Sequence, residues 1–356
     1  MHIYFQPEYF GDVVLVNGKA WPYLKVQRRK YRFRIINASN ARFYRLALDN
    51  GMHFTQIGAD SFYFEKPIHL NKVLVAPSEI IDVVVDFSTS KSRHIIMTND
   101  AVYPFPDGDP VNDRNGKVMK FVVGRQSAFF HDESRIPNKL VEVQKLSLNN
   151  SVTTRNITLY EFDSSSSGEP THLLINFKKF TDTVTEKPKI GTTEVWRIIN
   201  LTPDNHPFHV HLTGFQVVYQ QRLKDVDKLS ACVLKNRGIE DCELESYLYG
   251  PLKPPHPNEA GWKNVFKMKP SYMTTILVRF SLLDSQPFPF DPSLEPGYTY
   301  HCHVSSPFLF HYFLKPSTPT KKSLLITLNT LKVYFESSLH LVLKIWSNYF
   351  STTEEG

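Results

Sequence analysis

Three short motifs occur twice in this chain, in the same order. Leu15-Val16-Asn17-Gly18-Lys19 is echoed by Leu174-Ile175-Asn176-Phe177-Lys178, and Arg34-Ile35-Ile36-Asn37 by Arg197-Ile198-Ile199-Asn200. Pro77-Ser78, followed by Asp82-Val83-Val84-Val85-Asp86-Phe87, recurs as Pro270-Ser271, followed by Thr275-Ile276-Leu277-Val278-Arg279-Phe280. Repetition that keeps its order means one structural unit written twice. The 356 residues suffice for two such units, each with its own core. Within each, short β-branched or aromatic runs are separated by Gly, Pro, Asn and Asp, which predicts an all-β fold with a β-sandwich in each unit.

The offset between copies grows from 159 to 163 to 193 residues, so the second unit carries an insertion, expected between Gln220 and Pro270. Cys232 and Cys242 lie there, ten residues apart in a polar stretch, a spacing suited to a small disulfide loop. Cys302 is then the odd cysteine. Asp163-Ser164-Ser165-Ser166-Ser167-Gly168 reads as a flexible loop just inside the second unit. Residues from Val304 on fit neither unit. Lys332, Glu336, His340, Lys344 and Asn348 recur every four residues among leucines and aromatics, which suits an amphipathic helix; the alternative is a tail that does not pack.

Charge and hydropathy narrow the function classes. The net charge of +6 is modest for this length, and in the run Arg28 to Arg34 the residues Tyr31, Phe33 and Ile35 alternate with the cations. That is the pattern of a half-buried strand with one solvated face, not of a nucleic-acid patch. No transmembrane span is expected, since Lys332, Glu336 and Lys344 interrupt the apolar tail from Ser323 to Phe350. The stretch after Met1 lacks the apolar core of a signal peptide. Asn-x-Ser/Thr triplets begin at Asn37, Asn149, Asn156 and Asn200, which suits a secretory protein.

The chemistry concentrates in two clusters, His206-Pro207-Phe208-His209-Val210-His211 and His301-Cys302-His303. On a strand, side chains alternate faces, so His209 and His211 point one way, as do His301 and His303, while Cys302 points the other. Four imidazoles from two neighbouring strands thus converge on one metal cluster, and Cys302 with the offset His206 serves a second metal behind it. A thiolate with imidazoles suits a copper electron-transfer site, and Cys302, lying between two histidines of the other cluster, links the sites through a few bonds. A lone cysteine between two histidines does not fit zinc spacing. Isolated histidines such as His53 and His172 read as ordinary core or surface residues.

These clusters resemble the third-domain signatures of multicopper oxidases, Pro203-Asp204-Asn205-His206-Pro207-Phe208-His209-Val210-His211-Leu212 and Gly297-Tyr298-Thr299-Tyr300-His301-Cys302-His303. The stretch from Tyr9-Phe10-Gly11-Asp12 to Ala20-Trp21-Pro22 is similar to the second domain of plant oxidases of the Low Phosphate Root type, themselves similar to bilirubin oxidase and spore-coat laccase. The resemblance covers about residues 5 to 303. It implies two tandem cupredoxin-like Greek-key sandwiches: a domain without copper ligands over 1–130, a copper-bearing domain over 131–303, and an irregular or helical tail over 304–356. By it, copper is the cofactor, with His206 and Cys302 at type 1 copper, His209 at type 2, and His211, His301 and His303 at the type 3 pair. Such proteins couple one-electron oxidation of a small reductant, Fe(II) or a phenol, to O2 reduction. A non-catalytic copper-binding or interaction protein is the alternative. Asp204, with Glu8 and Asp109, is the candidate Fe(II) dock, and the secretory pathway, cell wall or extracellular space the implied location.

The sequence also departs from the family pattern. Five and ten residues after the copper cysteine, where a histidine and an axial methionine or apolar residue belong, stand Pro307 and Tyr312, with His311 nearby. No His-x-His pair precedes His209, and the positions of the first unit that match His206 to His211 fall near Phe43 to Leu48, without histidine. The expectation is a chain carrying the second and third domains only, with an incomplete type 1 site and impaired turnover.

Overall fold

The computed structural model describes residues 10–125, 132–163, 170–178, 182, 185–292, 298–303 and 329–336. Its first unit is a sandwich. One sheet runs, in spatial order, Lys19–Ala20, Val14–Val16, Asn329–Glu336, Lys30–Asn37, Ile80–Asp86, Phe54–Ala59, Phe62–Leu70. The other runs Tyr23–Val26, Lys117–Val123, His94–Asn99, Tyr44–Leu48, Lys72–Val75. Phe33, Ile35 and Val83 from the first sheet meet Leu46, Ile95 and Phe121 from the second in one core. Each such buried aromatic or aliphatic side chain contributes about 1.5–3 kcal/mol. The basic run behaves as a strand should. Tyr31, Phe33 and Ile35 are buried, while Arg32 turns outward and donates from Nε to Asp82 at 2.8 Å.

The second unit repeats the design. Its larger sheet is ordered Pro170–Ile175, Thr154–Asp163, Thr193–Asn200, Tyr272–Arg279, Phe215–Leu223, Leu248–Lys253, with Trp262–Lys263 also on Phe215–Leu223. Facing it is a three-stranded sheet in which His206–Val210 lies between Val265–Met268 and Tyr300–Cys302. Trp196, Ile198, Ile276 and Val278 pack there against Phe208, Val210, Phe266 and Met268.

The repeated motifs occupy equivalent places for a physical reason. Asn37 Nδ2 donates to the carbonyls of Arg42 and Val75, and Asn200 Nδ2 to those of Asp204 and Met268, all within 3.0 Å. The backbone N–H of Ser78 donates to Asn37 O, and that of Ser271 to Asn200 O. Ser78 and Ser271 are both left-handed (φ 63° and 58°), as are Asn17 and Asn176 (φ 50° each). Buried backbone groups at these strand ends need partners, and the asparagine amide supplies them in both copies.

The insertion holds an α-helix, Val226–Asn236, a 3-10 turn, Leu244–Tyr247, and the edge strand Leu248–Lys253. Cys232 and Cys242 form the expected disulfide, and Leu229, Val233, Ile239 and Leu244 bury themselves against Ile199 and Met273. The helical expectation for the tail is corrected where it is described. Asn329–Glu336 is a strand, parallel to Val14–Val16 and antiparallel to Lys30–Asn37. Leu331, Val333, Tyr334 and Phe335 are strand formers, and the slot between two sheet strands offers hydrogen-bond partners on both sides, which overrides a four-residue period. The serine-rich loop at 164–168, Glu8, Pro307, His311 and Tyr312 lie outside the described residues. Among the described residues no helix is long and apolar enough to cross a membrane.

Candidate metal centre

Strand pairing places the two clusters side by side. His209 sits opposite His301, Phe208 opposite Cys302 and Val210 opposite Tyr300, in antiparallel register. The backbone extends this pairing, with His211 N donating to Thr299 O and His303 N to Pro207 O. Directly opposed residues share a face. His209, His211 and His301 therefore gather on one face, with one nitrogen of each ring within 4.8 Å of those of the other two. His303 joins them, with Nε2 2.9 Å from His209 Nδ1; His211 Nε2 is 2.9 Å from His301 Nε2. On the other face, Cys302 Sγ lies 3.2 Å from His206 Nδ1.

The imidazoles are held neutral. Burial lowers His206 to about 4, and burial together with the charges of His211 and His301 lowers His209 to about 3. His303 falls to about 2 through burial and its histidine neighbours, and burial shifts His211 and His301 downward as well. Each ring thus keeps a free lone pair at neutral pH, which is what a metal ligand requires.

Sequence reasoning missed the group that orients His206. Thr202 Oγ1 donates to Asn200 Oδ1 at 2.9 Å, so its oxygen is free to accept from His206 Nε2–H at 2.6 Å. With the hydroxyl proton directed to Asn200, the ring proton belongs on Nε2, and Nδ1 faces Cys302 Sγ with its lone pair. The only signal was the repeated Arg-Ile-Ile-Asn motif, whose asparagine anchors Thr202.

Of the proposed docking carboxylates, the two described differ in exposure. Asp204 is half-buried, and burial together with the charge of Asp107 raises its carboxyl. Asp109 lies exposed in the Asp107 loop, whose Phe105 carbonyl accepts from Asn205 N at 2.9 Å. Asp107 and Glu161 had not been singled out from the sequence. Glu161 is pushed up to about 7 by burial and by the charges of Asp163 and Asp204.

Two β-sandwiches, one bearing an imidazole cluster backed by a thiolate–imidazole pair, define a cupredoxin-type metal protein. Two family models, both described as multicopper oxidase, match residues 145–311 and 7–127. The chain belongs to the multicopper oxidase family, which binds copper. It is similar to Multicopper oxidase LPR1 of Arabidopsis thaliana, 52% identical over 307 residues, covering 85% of this chain and 52% of that protein. A laccase of Bacillus subtilis is 37% identical over 84% of this chain and 52% of its own length. The crystal structure of the McoA multicopper oxidase of Aquifex aeolicus superposes with a TM-score of 0.59 at 28% identity, over 83% of this chain and 57% of that one. The chain spans about half the length of the curated relatives it matches.

The donor set fits copper. Neutral imidazoles in a close group, and a cysteine sulfur opposite a histidine nitrogen with its lone pair free, are the ligand types that copper prefers over hard-oxygen metals.

Proposed function

We propose that this chain forms the copper-bearing part of an oxidase that takes single electrons from a small reductant and delivers them to O2. The observation that carries the reading is the alternation at His301-Cys302-His303: two imidazoles on one face of a strand and the thiol on the other. His206 and Cys302 would hold type 1 copper, His209 type 2 copper, and His211, His301 and His303 the type 3 pair. Bound copper would supply the one-electron chemistry at both faces. The protein's part is orientation. Thr202 fixes the His206 tautomer, burial keeps the imidazoles deprotonated, and Cys302 spans the two faces within one strand.

Fe(II) is the reductant favoured over a phenol. Glu161 and Asp204 are both raised by burial and, after it, by neighbouring carboxylates, so an approaching divalent cation would relieve repulsion at the rim beside His206. Asp204 is the leading candidate to meet it, with Asp107 and Glu161 adding to the field; Glu8 and Asp109 remain part of the proposal.

The test is to load the purified chain with Cu(II), record the thiolate-to-copper absorption and add Fe(II) or a phenol under argon. Bleaching by Fe(II) that is absent in Cys302→Ser supports the reading. Copper that binds without bleaching supports a non-catalytic copper-binding protein, favoured by the fact that the described residues bring only four imidazoles to the shared face. No copper binding refutes both. O2 uptake after bleaching is expected to be slow.

A further inference from the structure

The unit without histidine clusters reaches the metal-bearing strand through charged side chains that bury one another. Asp60 and Lys263 are fully buried, and Glu79 and Lys267 nearly so. Lys263 Nζ lies 3.1 Å from Asp60 Oδ2 and 2.6 Å from Glu79 Oε1. Lys267 Nζ lies 2.8 Å from both Glu79 oxygens and 2.6 Å from Glu259 Oε1. An apolar contact would join two sandwiches at least as strongly, because desolvating charges offsets most of their attraction. What ions and their hydrogen bonds add is direction.

That direction leads to the histidines. Asp60 Oδ1 accepts from Ile80 N in its own unit, while Oδ2 accepts from Asn264 N and Val265 N in the other, each at 3.1 Å. Asn264 O in turn accepts from Val210 N at 3.0 Å, and Val210 lies between His209 and His211. Val265 is the strand partner of His209. Asp60 also occupies a left-handed turn (φ 48°) where glycine would be the unstrained residue. Its carboxylate joins the two units from that turn.

We propose that Asp60 is a positioning residue for His209 and His211, acting through the backbone of Asn264 and Val265. The ligand-free unit then serves as the mould against which the metal-bearing strand is set. The inference rests on the metal reading of those histidines, but its first test does not need a metal.

Amide hydrogen exchange in the full chain compares Val210 with Ile276, which lies in the central Tyr272–Arg279 strand of the larger sheet. Asp60→Gly suits the left-handed backbone and removes the side chain with its carboxylate, leaving Lys263 paired with Glu79. Exchange at Val210 is expected to rise about tenfold more than at Ile276. Should both rise by one common factor, or neither change, Asp60 is merely part of the interface and the proposal is overturned. If Asp60→Gly does not fold, Asp60→Ser, a residue this fold accepts in left-handed turns at Ser78 and Ser271 but too short to reach both units, decides by the same ratio. Asp100→Asn, which breaks the exposed pairs with Arg45 and Lys72, is expected to leave the ratio unchanged. A Co(II) titration follows, with binding to Asp60→Gly expected to weaken about tenfold. Parent protein that takes up no Co(II) would refute the metal reading, whereas the exchange ratio would still decide the role of Asp60.

Discussion

Cys302 Sγ lies 3.2 Å from His206 Nδ1, although 96 residues separate the two in sequence. The contact exists because Tyr300–Cys302 pairs with His206–Val210 in a register that opposes Cys302 to Phe208, two residues from His206. A thiol and a neutral imidazole so placed can share one metal ion.

Replacing Cys302 separates the two faces. Cys302→Ser is expected to abolish thiolate-to-metal absorption of the Co(II) or Cu(II) form while the imidazole face still takes up metal. Cys302 is only partly buried, so the change in stability should stay within about 1 kcal/mol. Metal titration followed by absorption, beside a thermal melt, checks both.

Thr202→Val keeps the shape and removes the hydroxyl. His206 Nε2, buried with its ring, then loses its partner, which costs about 1–3 kcal/mol. Metal affinity on the thiol side should fall roughly tenfold or more, because the tautomer is no longer fixed. Thr202→Ser should restore most of it, and denaturant unfolding with Co(II) titration measures the two effects.

The metal-free protein should weaken on acidification. His206 falls from 6.5 to about 4 and His209 to about 3 on folding, so the folded state binds fewer protons than the unfolded chain. Stability from these groups is present above pH 6.5 and lost as the pH drops through that value toward 4. Melting temperatures between pH 8 and pH 4, about four units, should show a decline that begins near the ordinary histidine value, and bound metal should delay it.

Two of the four glycosylation triplets are closed by the fold. The side-chain nitrogens of Asn37 and Asn200 each donate to two buried carbonyls, and both residues are fully buried. Asn149 is exposed. Produced through a eukaryotic secretory route, the folded protein should carry glycan at Asn149 and none at Asn37 or Asn200. Peptide mass spectrometry reads this directly, and a glycan on Asn200 would contradict the asparagine anchor described above.

The disulfide should matter locally. Cys232 and Cys242 close a loop with a separation of ten, worth about 3 kcal/mol by loop entropy. Replacing both with serine should loosen the Val226–Asn236 helix, seen as faster amide exchange there, and leave Co(II) binding at the histidines unchanged.

The sequence alone determined whatever depends on period and repetition. The alternation at Tyr31, Phe33 and Ile35 and the facing of His301 and His303 away from Cys302 follow from strand geometry, the doubled unit from repeated motifs, and the disulfide from cysteine spacing, all of them local. The tertiary structure decided what depends on partners distant in the chain. Asn329–Glu336 became a strand because a slot between two strands of the first unit accepts it, and its own residues did not reveal that slot. Asp107 and Asp60 acquired their surroundings only when the two units met, and Thr202 its own when the chain after Thr193–Asn200 turned back on itself. A hydroxyl or carboxylate has no periodic signature, and what it does depends on which donor, acceptor or charge the fold brings within about 3 Å of it.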